Sequence, residues 1–345
     1  PVATRSGYGA RARDVVSALL KLDKYDIKIF TVPWGSTPQN ALVIDNPRDK
    51  AIFDCIIKDQ REMPQNPDVH IHIVVPNEFT PIGKYNIGIT AGLEASAIPQ
   101  SWIDGCNRMD LVLVSSKFSA DVIKSTIFSD KETGKELKVT KPVSVLFEGA
   151  DTNIFYKKKS GSEYSKELND VMSQIKENWN YLFVGHWLQG DETHDRKDVA
   201  SLIRTFLTTF RGKKTTGLIL KTSGASTSVI DREEILTKIR AVKLSMGIPE
   251  DKLPNVYLLH ADLYDDEVND LYNHPKVKAH ITFTHGEGFG RPLLEASLSG
   301  KPVIAPNWSG HVDFIRSPNS ILLPGKMTKI EKQSLPEGIY LDGQH

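Results

Sequence analysis

The sequence is short of several things, and each shortage excludes something. Of its 345 residues only Cys55 and Cys106 are cysteine. Two thiols cannot make a disulfide framework, so buried apolar surface must hold the fold, and a reducing compartment is the default. There is no surplus of either charge: 43 Lys+Arg stand against 43 Asp+Glu. That balance does not advertise a nucleic-acid or anionic-membrane partner. No apolar run is long enough to cross a bilayer, and no stretch has the parts of a signal peptide. A cytoplasmic location is therefore expected.

What is present is ordinary for a soluble globular chain, with 39% apolar and 25% charged residues. The length suggests two domains of about 150 residues, each with room for its own core. The boundaries read as residues 1–150, a linker and domain start over 151–180, and a second domain over 181–345. Pro1-Val2-Ala3 reads as the tail of a strand, and Pro336 to Tyr340 trails off without a closing helix. Residues are expected to be missing at both ends.

One stretch organises the rest. Ala279 to Phe283 reads as a short buried strand, and Pro302-Val303-Ile304-Ala305 as the next. Between them lies a helix with clear punctuation: Pro292 suits its first turn, Gly300 its end, and Pro302 forbids continuation. Strand, glycine-rich loop, helix, strand is one crossover of a parallel sheet. Gly288 and Gly290 let the loop backbone approach a ligand. The helix then aims its free N–H groups and positive dipole end at that ligand, a seat for a phosphate or diphosphate. Glu287 lies on the loop and Glu295 about one turn into a helix that starts near Arg291. An anion seat has no use for anions of its own, so these carboxylates read as acceptors for sugar hydroxyls. Together the features describe a nucleotide-sugar site.

Glu287 and Glu295, with the wording Glu-Gly-Phe-Gly-x-Pro-Leu-Leu-Glu-Ala and then Gly-Lys-Pro-Val-Ile-Ala, resemble the Glu-x7-Glu motif of retaining glycosyltransferase family 4. The match is more specific than a lone GxGxxG. The resemblance implies an α/β fold of GT-B type: two Rossmann-like domains with parallel sheets facing a central cleft. It spans nearly the whole chain and is strongest from Asn255 to Phe314.

In the first half, Thr4 to Ala10 leads into a helix with Val15, Val16, Leu19 and Leu20 on one side. Gly7 and Gly9 precede it as a glycine turn, and the family carries a similar loop facing the donor phosphates and acceptor. Ile27 to Val32 reads as a strand, and so does His70 to Val75. The two histidines at strand spacing invite a metal reading, but there is no third ligand nearby, and no metal is expected. Tyr85 to Thr90 is another strand. Many family members place a histidine just after it; this chain does not, and Glu94 is the one ionisable residue there. Glu94 either contacts a donor or acceptor hydroxyl or caps a helix. Leu111 to Val114 is followed by a helix start with serine caps at Ser115 and Ser116. Val143 to Phe155 resembles the family's interdomain segment, and the lysine-rich run Tyr156 to Ser162 reads as a solvated linker.

In the second half, Tyr181 to Gly185 reads as a buried strand, followed by His186-Trp187, a polar loop and a helix carrying Val199, Leu202, Ile203, Phe206 and Leu207. The family clamps the donor phosphates with an arginine after the strand and a lysine at the helix start. Lys197 matches the lysine. His186 stands where arginine is usual and cannot make a two-pronged phosphate contact; Arg196 or Arg291 would supply the charge. Asp191, His194, Asp195 and Asp198 read as a mobile acidic loop rather than a metal cluster. Thr216 to Thr222 is a strand with Lys221 at its exit. Val256 to Leu263 is another, and backbone groups from His260 to Leu263 would read the base edge. Asp265 to Glu267 caps the next helix. Trp308 to Asp313 resembles the family's Gly-rich turn.

The implied reaction moves a sugar from a nucleotide diphosphate sugar (UDP, GDP or ADP type) to an acceptor hydroxyl with retention, without a cofactor or a metal. Lys197 and the loop amides of Phe289, Gly290 and Arg291 would stabilise the diphosphate, Glu287 would hold the sugar, and Glu295 the ribose. The acceptor is open: a glycan, a lipid-linked sugar, a protein or a modified nucleic acid base. Two rivals are a nucleotide-sugar epimerase on the same architecture and a non-catalytic sugar- or polymer-binding protein with a relic site.

Overall fold

The computed structural model describes residues 1–35, 37–129, 133–188, 194–224, 226–316 and 318–330. The chain divides into two compact units, Pro1–Glu148 and Gly149 onward.

Unit 1 is built from α1 (Gly7–Leu22), α2 (Pro47–Asp54), β1 (Val69–Ile73), β2 (Tyr85–Thr90), α3 (Gln100–Arg108), β3 (Leu111–Val114), α4 (Lys117–Ser125), a β4–β5 ribbon (Ile127–Ser129, Glu136–Lys138) and β6 (Val143–Val145). Its sheet has the order β1-β2-β3-β6, and every pairing in it is parallel. Ser116 caps α4 by accepting from the Ser119 amide, as the serine pair predicts.

Three expectations fail in unit 1. Ile27 to Val32 is not a strand: Ile29 makes a single parallel bridge to Ile56. Of that segment Ile29 packs on the core while Phe30 is exposed, so there is no second buried face to hold a ladder. Pro1 to Ala3 forms a turn, with the Thr4 amide donating to the Pro1 carbonyl at 2.9 Å. Gly7 and Gly9 do not precede α1 but lie in its first turn, because Ser6 is the cap and accepts from the Gly9 amide. Gly9 is required there by space: a Cβ would sit 2.2 Å from the Thr4 carbonyl oxygen.

Unit 2 runs α5 (Lys166–Ser173), β7 (Trp179–His186), α6 (Val199–Thr209), β8 (Thr216–Ser223), α7 (Val229–Ser245), β9 (Val256–Leu259), α8 (Asp265–Asn273), β10 (Val277–Ile281), α9 (Arg291–Leu298), β11 (Val303–Pro306) and β12 (Ser320–Leu323). The strands form one sheet in the order β12-β11-β10-β7-β8-β9, parallel throughout. Both faces are covered, which is why its strands read as continuous apolar runs. Leu218 and Leu220 of β8 face α6 and α7 through Val199, Leu202, Ile203, Phe206, Ile235 and Ile239. Ile219, between them, faces α8 and α9 through Leu271, Tyr272, Leu293 and Ala296. Each fully buried side chain of this size contributes roughly 1.5–3 kcal/mol.

The stretch 151–180 belongs to this core: Phe155, Leu168, Met172 and Ile175 are buried in it. The start of the lysine run is likewise docked rather than solvated. The Tyr156 and Lys158 amides donate to Asn269 and Asn273 of α8, and the Lys158 ammonium pairs with Asp270. β9 stops at Leu259, short of the expected Leu263, because His260 turns aside to a carboxylate described below. No helix among the described residues is long and apolar enough to cross a membrane.

Candidate functional site: a loop and helix end ringed by cations

The crossover at residues 277–306 forms as its punctuation demands. β10 and β11 pair in parallel, His280 opposite Val303, and α9 starts at Arg291 with proline in its first turn. Gly290 caps it with φ +91°, a conformation that strains any side chain. The 309–311 turn pins the loop from behind. Ser309 Oγ accepts from the Glu287 amide at 2.8 Å, and the Gly310 amide donates to the Glu287 carbonyl at 2.8 Å. Ser309 pays in strain for this position, with φ +77° in a non-glycine residue. A Cβ on Gly310 would lie 2.1 Å from the Gly288 carbonyl oxygen, so the two backbones touch here. Phe289 is buried against Phe314, ring centroids 5.0 Å apart.

The segment before α6 is stitched to the same loop. The Arg196 carbonyl accepts from the His285 amide at 2.8 Å, and the Arg196 guanidinium donates to the Gly286 carbonyl at 2.8 Å. Thr284 Oγ1 donates to the Gly286 carbonyl at 2.9 Å. Asp195, buried, accepts from the Val199 amide, and Asp198 adopts φ +46° to turn the chain into α6. These contacts place Lys197 on Glu287 in a buried ion pair, with Arg196 3.4 Å from the other carboxylate oxygen. Burial alone would raise the Glu287 pKa; the charges of Lys197 and Arg196 overcome it and hold it at about 2. The two cations thus favour the ionised form of Glu287.

A further cation is near. Lys221 lies within β8, two residues before its end and beside Val184 of β7, and His186 ends β7 beside Ser223. The His186 ring is exposed at one side yet lodged among Lys197, Lys221 and Arg196; loss of surrounding water, then those charges, lower its pKa. Its Nδ1 lies 3.4 Å from Ser223 Oγ. Glu295 falls one turn into α9, as expected, and accepts from Arg291 Nε at 2.9 Å.

The structure therefore brings together Lys197, Arg196, Glu287, His186 and Lys221, with Gly288, Phe289, Gly290, Arg291 and Glu295 forming the adjoining loop and helix start. His260 is set apart. Its side chain is buried and Nε2 lies 2.7 Å from Asp231 Oδ2, which also accepts from the Gly224 amide at 2.9 Å. Leu263 packs against the unit 2 core. Gly7, Gly9 and Glu94 belong to unit 1. There Glu94 and Glu148 lie within electrostatic reach of Tyr8, whose hydroxyl meets Thr90 Oγ1 at 2.8 Å and whose ring stacks on Trp34. Asp191 lies outside the described residues.

Ser309, Thr284 and His280 carry structural parts of this site, and Asp231 the anchor that holds His260 apart from it, all missed by sequence reasoning. Their signals are weak: a serine before glycine, a threonine and a histidine in a strand-to-loop run, and an aspartate in a helix. Among the described residues no three His, Cys, Asp or Glu side chains are grouped to hold a metal. His70 and His72 are neighbours, ring centroids 5.4 Å apart, and burial followed by His70 holds His72 down to about 4.

No protein-family model and no curated protein sequence matches the chain. Solved structures do. HepE from Anabaena, in complex with UDP and glucose, is 14% identical and superimposes with a TM-score of 0.60, over 94% of this chain and 84% of that one. An α,α-trehalose-phosphate synthase (UDP-forming) from Burkholderia xenovorans, in complex with glucose-6-phosphate, is 8% identical, with a TM-score of 0.51 over 92% of this chain and 67% of that one. Sucrose-phosphate synthase from Thermosynechococcus elongatus is 15% identical over 70% of this chain, with a TM-score of 0.49, and the chain spans 55% of its length. The first two are likenesses of fold, and with the two parallel-sheet units they identify the chain as an α/β protein of the GT-B type.

Proposed function

We propose that the chain is a retaining glycosyltransferase that moves a sugar from a nucleotide diphosphate sugar to an acceptor hydroxyl, in the cytoplasm. One observation carries the reading: Glu287 and the cations Lys197 and Arg196 are held together beside the N-terminus of α9. The loop amides and Lys197 suit a diphosphate, and Glu287 suits the sugar hydroxyls. Lys221 and Arg196 supply the positive charge that their own field disfavours on His186. Glu295 takes the ribose, by exchanging its bond to Arg291.

In the reaction the acceptor oxygen attacks the anomeric carbon on the face the diphosphate leaves. The carbon–phosphate-oxygen bond breaks, and the leaving phosphate oxygen takes the acceptor proton. No protein nucleophile is required. UDP is the favoured donor base, because the two best-superimposing structures named above are described with UDP or as UDP-forming.

The test is calorimetric titration with UDP, GDP and ADP and their sugars, followed by an acceptor screen. Selective binding of UDP compounds with acceptor-dependent sugar transfer is expected. Free altered sugar without acceptor would assign an epimerase instead, and binding without turnover a relic site.

A further inference from the structure

The floor of the site contains an unexplained group. His280 of β10 is 2% exposed, and neither ring nitrogen has a hydrogen-bond partner among the described residues. A buried polar side chain with no partner is rare in native proteins. His280 lines a small, partly open cavity of about 10 Å³ with Lys197, Thr282, Glu287, Pro292 and Leu293 among its walls. That room suits the centre of one water, which needs about 10–15 Å³ on this measure and two to four polar partners. The walls offer an ammonium, a carboxylate, a hydroxyl and an imidazole. Thr282 Oγ1 already accepts from the Thr284 amide at 3.2 Å, so its own hydrogen is available to donate.

We propose that this cavity is a water site through which His280 holds the Glu287 carboxylate, making His280 a positioning residue for the sugar-binding glutamate. The idea rests on the transferase reading and adds a step to it. Lys197 is engaged with Glu287 in this structure, yet a diphosphate needs the same ammonium. When Lys197 turns to phosphate, the buried carboxylate loses its main partner and keeps only Arg196 at 3.4 Å. The water, anchored by the imidazole, replaces the lost hydrogen bond. A neutral imidazole suits this task because one nitrogen donates and the other accepts.

The experiment compares His280→Leu, close to histidine in volume, with His280→Gln, which keeps a donor and an acceptor. Leucine removes an ill-satisfied buried polar group, so its thermal midpoint is expected to stay level or rise. Its kcat with the donor is expected to fall about tenfold, the worth of one hydrogen bond to a charged group, with the acceptor KM unchanged. Glutamine is expected to recover most of that loss. A crystal structure of the unaltered protein, at a resolution that resolves waters, is expected to show density bonded to His280 in the cavity. A folded His280→Leu protein with full kcat, or a cavity without a water, would overturn the proposal. The crystal structure reads the water whether or not the chain transfers sugar. Absence of turnover in the unaltered protein would count against the transferase reading alone.

Discussion

The side chains of Lys197 and Glu287 are 13% and 9% exposed, and that sets what a substitution costs. Removing one partner of a buried ion pair strands the other charge, a loss of about 3–5 kcal/mol. Lys197→Ala should lose that much in chemical unfolding and lose donor turnover as well. Replacing both partners, Lys197→Met with Glu287→Leu, should return most of the stability and none of the activity; activity in the double variant would sink the site assignment. Two neighbours in the site contribute to the acid response. Glu287 is held at about 2 against an ordinary 4.5. A depressed carboxylate contributes stability that is full above 4.5 and lost as pH falls towards 2. Burial holds His280 at about 3 against an ordinary 6.5. The unfolded chain then binds the extra proton, so stability begins to fall below 6.5. Urea midpoints measured from pH 8 to 3 should decline from about pH 6.5 and more steeply below 4.5. Glu287→Gln should remove most of the second decline and leave the first.

At the scale of elements, the α9 crossover was legible because its punctuation is local. Proline in the first turn and Gly300 at the end act within a few residues, and the structure needed only the loop's anchors to complete it. Those anchors were not legible. Ser309 and Gly310 lie on a turn some twenty residues on, and their role follows from backbone contact with Glu287 and Gly288. The strand reading of Val256 to Leu263 ran too long for a related reason. Asp231 on α7 captures the His260 ring, and a contact across that separation leaves no period in the sequence. The Ile27 to Val32 segment had strand composition without a second buried face, and composition cannot count neighbours. The anchoring turn gives a prediction at its own scale. Gly310→Ala must displace the Gly288 carbonyl, whereas Gly290→Ala meets its nearest side chain, His311, at 3.0 Å and adds the strain of a positive φ. Both should weaken nucleotide binding in calorimetry. Gly310→Ala should be the more damaging, because backbone cannot yield as a side chain can.

For the whole molecule, the two units have separate hydrophobic cores. Every residue of the cation-ringed site, from His186 to Glu295, lies in unit 2. A chain of residues 149–330 should therefore fold alone and retain most of the affinity for a nucleoside diphosphate. Circular dichroism melts and calorimetry would check this, and an unfolded or non-binding fragment would place part of the seat in unit 1. The division into two α/β units was readable from length and pattern. That residues 151–180 supply Phe155, Leu168 and Met172 to the second core was not, because the polar run before them disguises a docked segment.

The Lys197–Glu287 pair has one more consequence. The ion pair is an internal competitor for any anion that enters. Inorganic phosphate can offer Lys197 a new partner but brings no group to replace the ammonium's charge at the buried carboxylate. A nucleotide sugar compensates both ends at once, phosphate to the ammonium and hydroxyl to the carboxylate. The same contact that hides the cation would thus work as a coincidence detector, screening out the abundant small anions around it. Millimolar phosphate or sulfate should inhibit turnover only weakly.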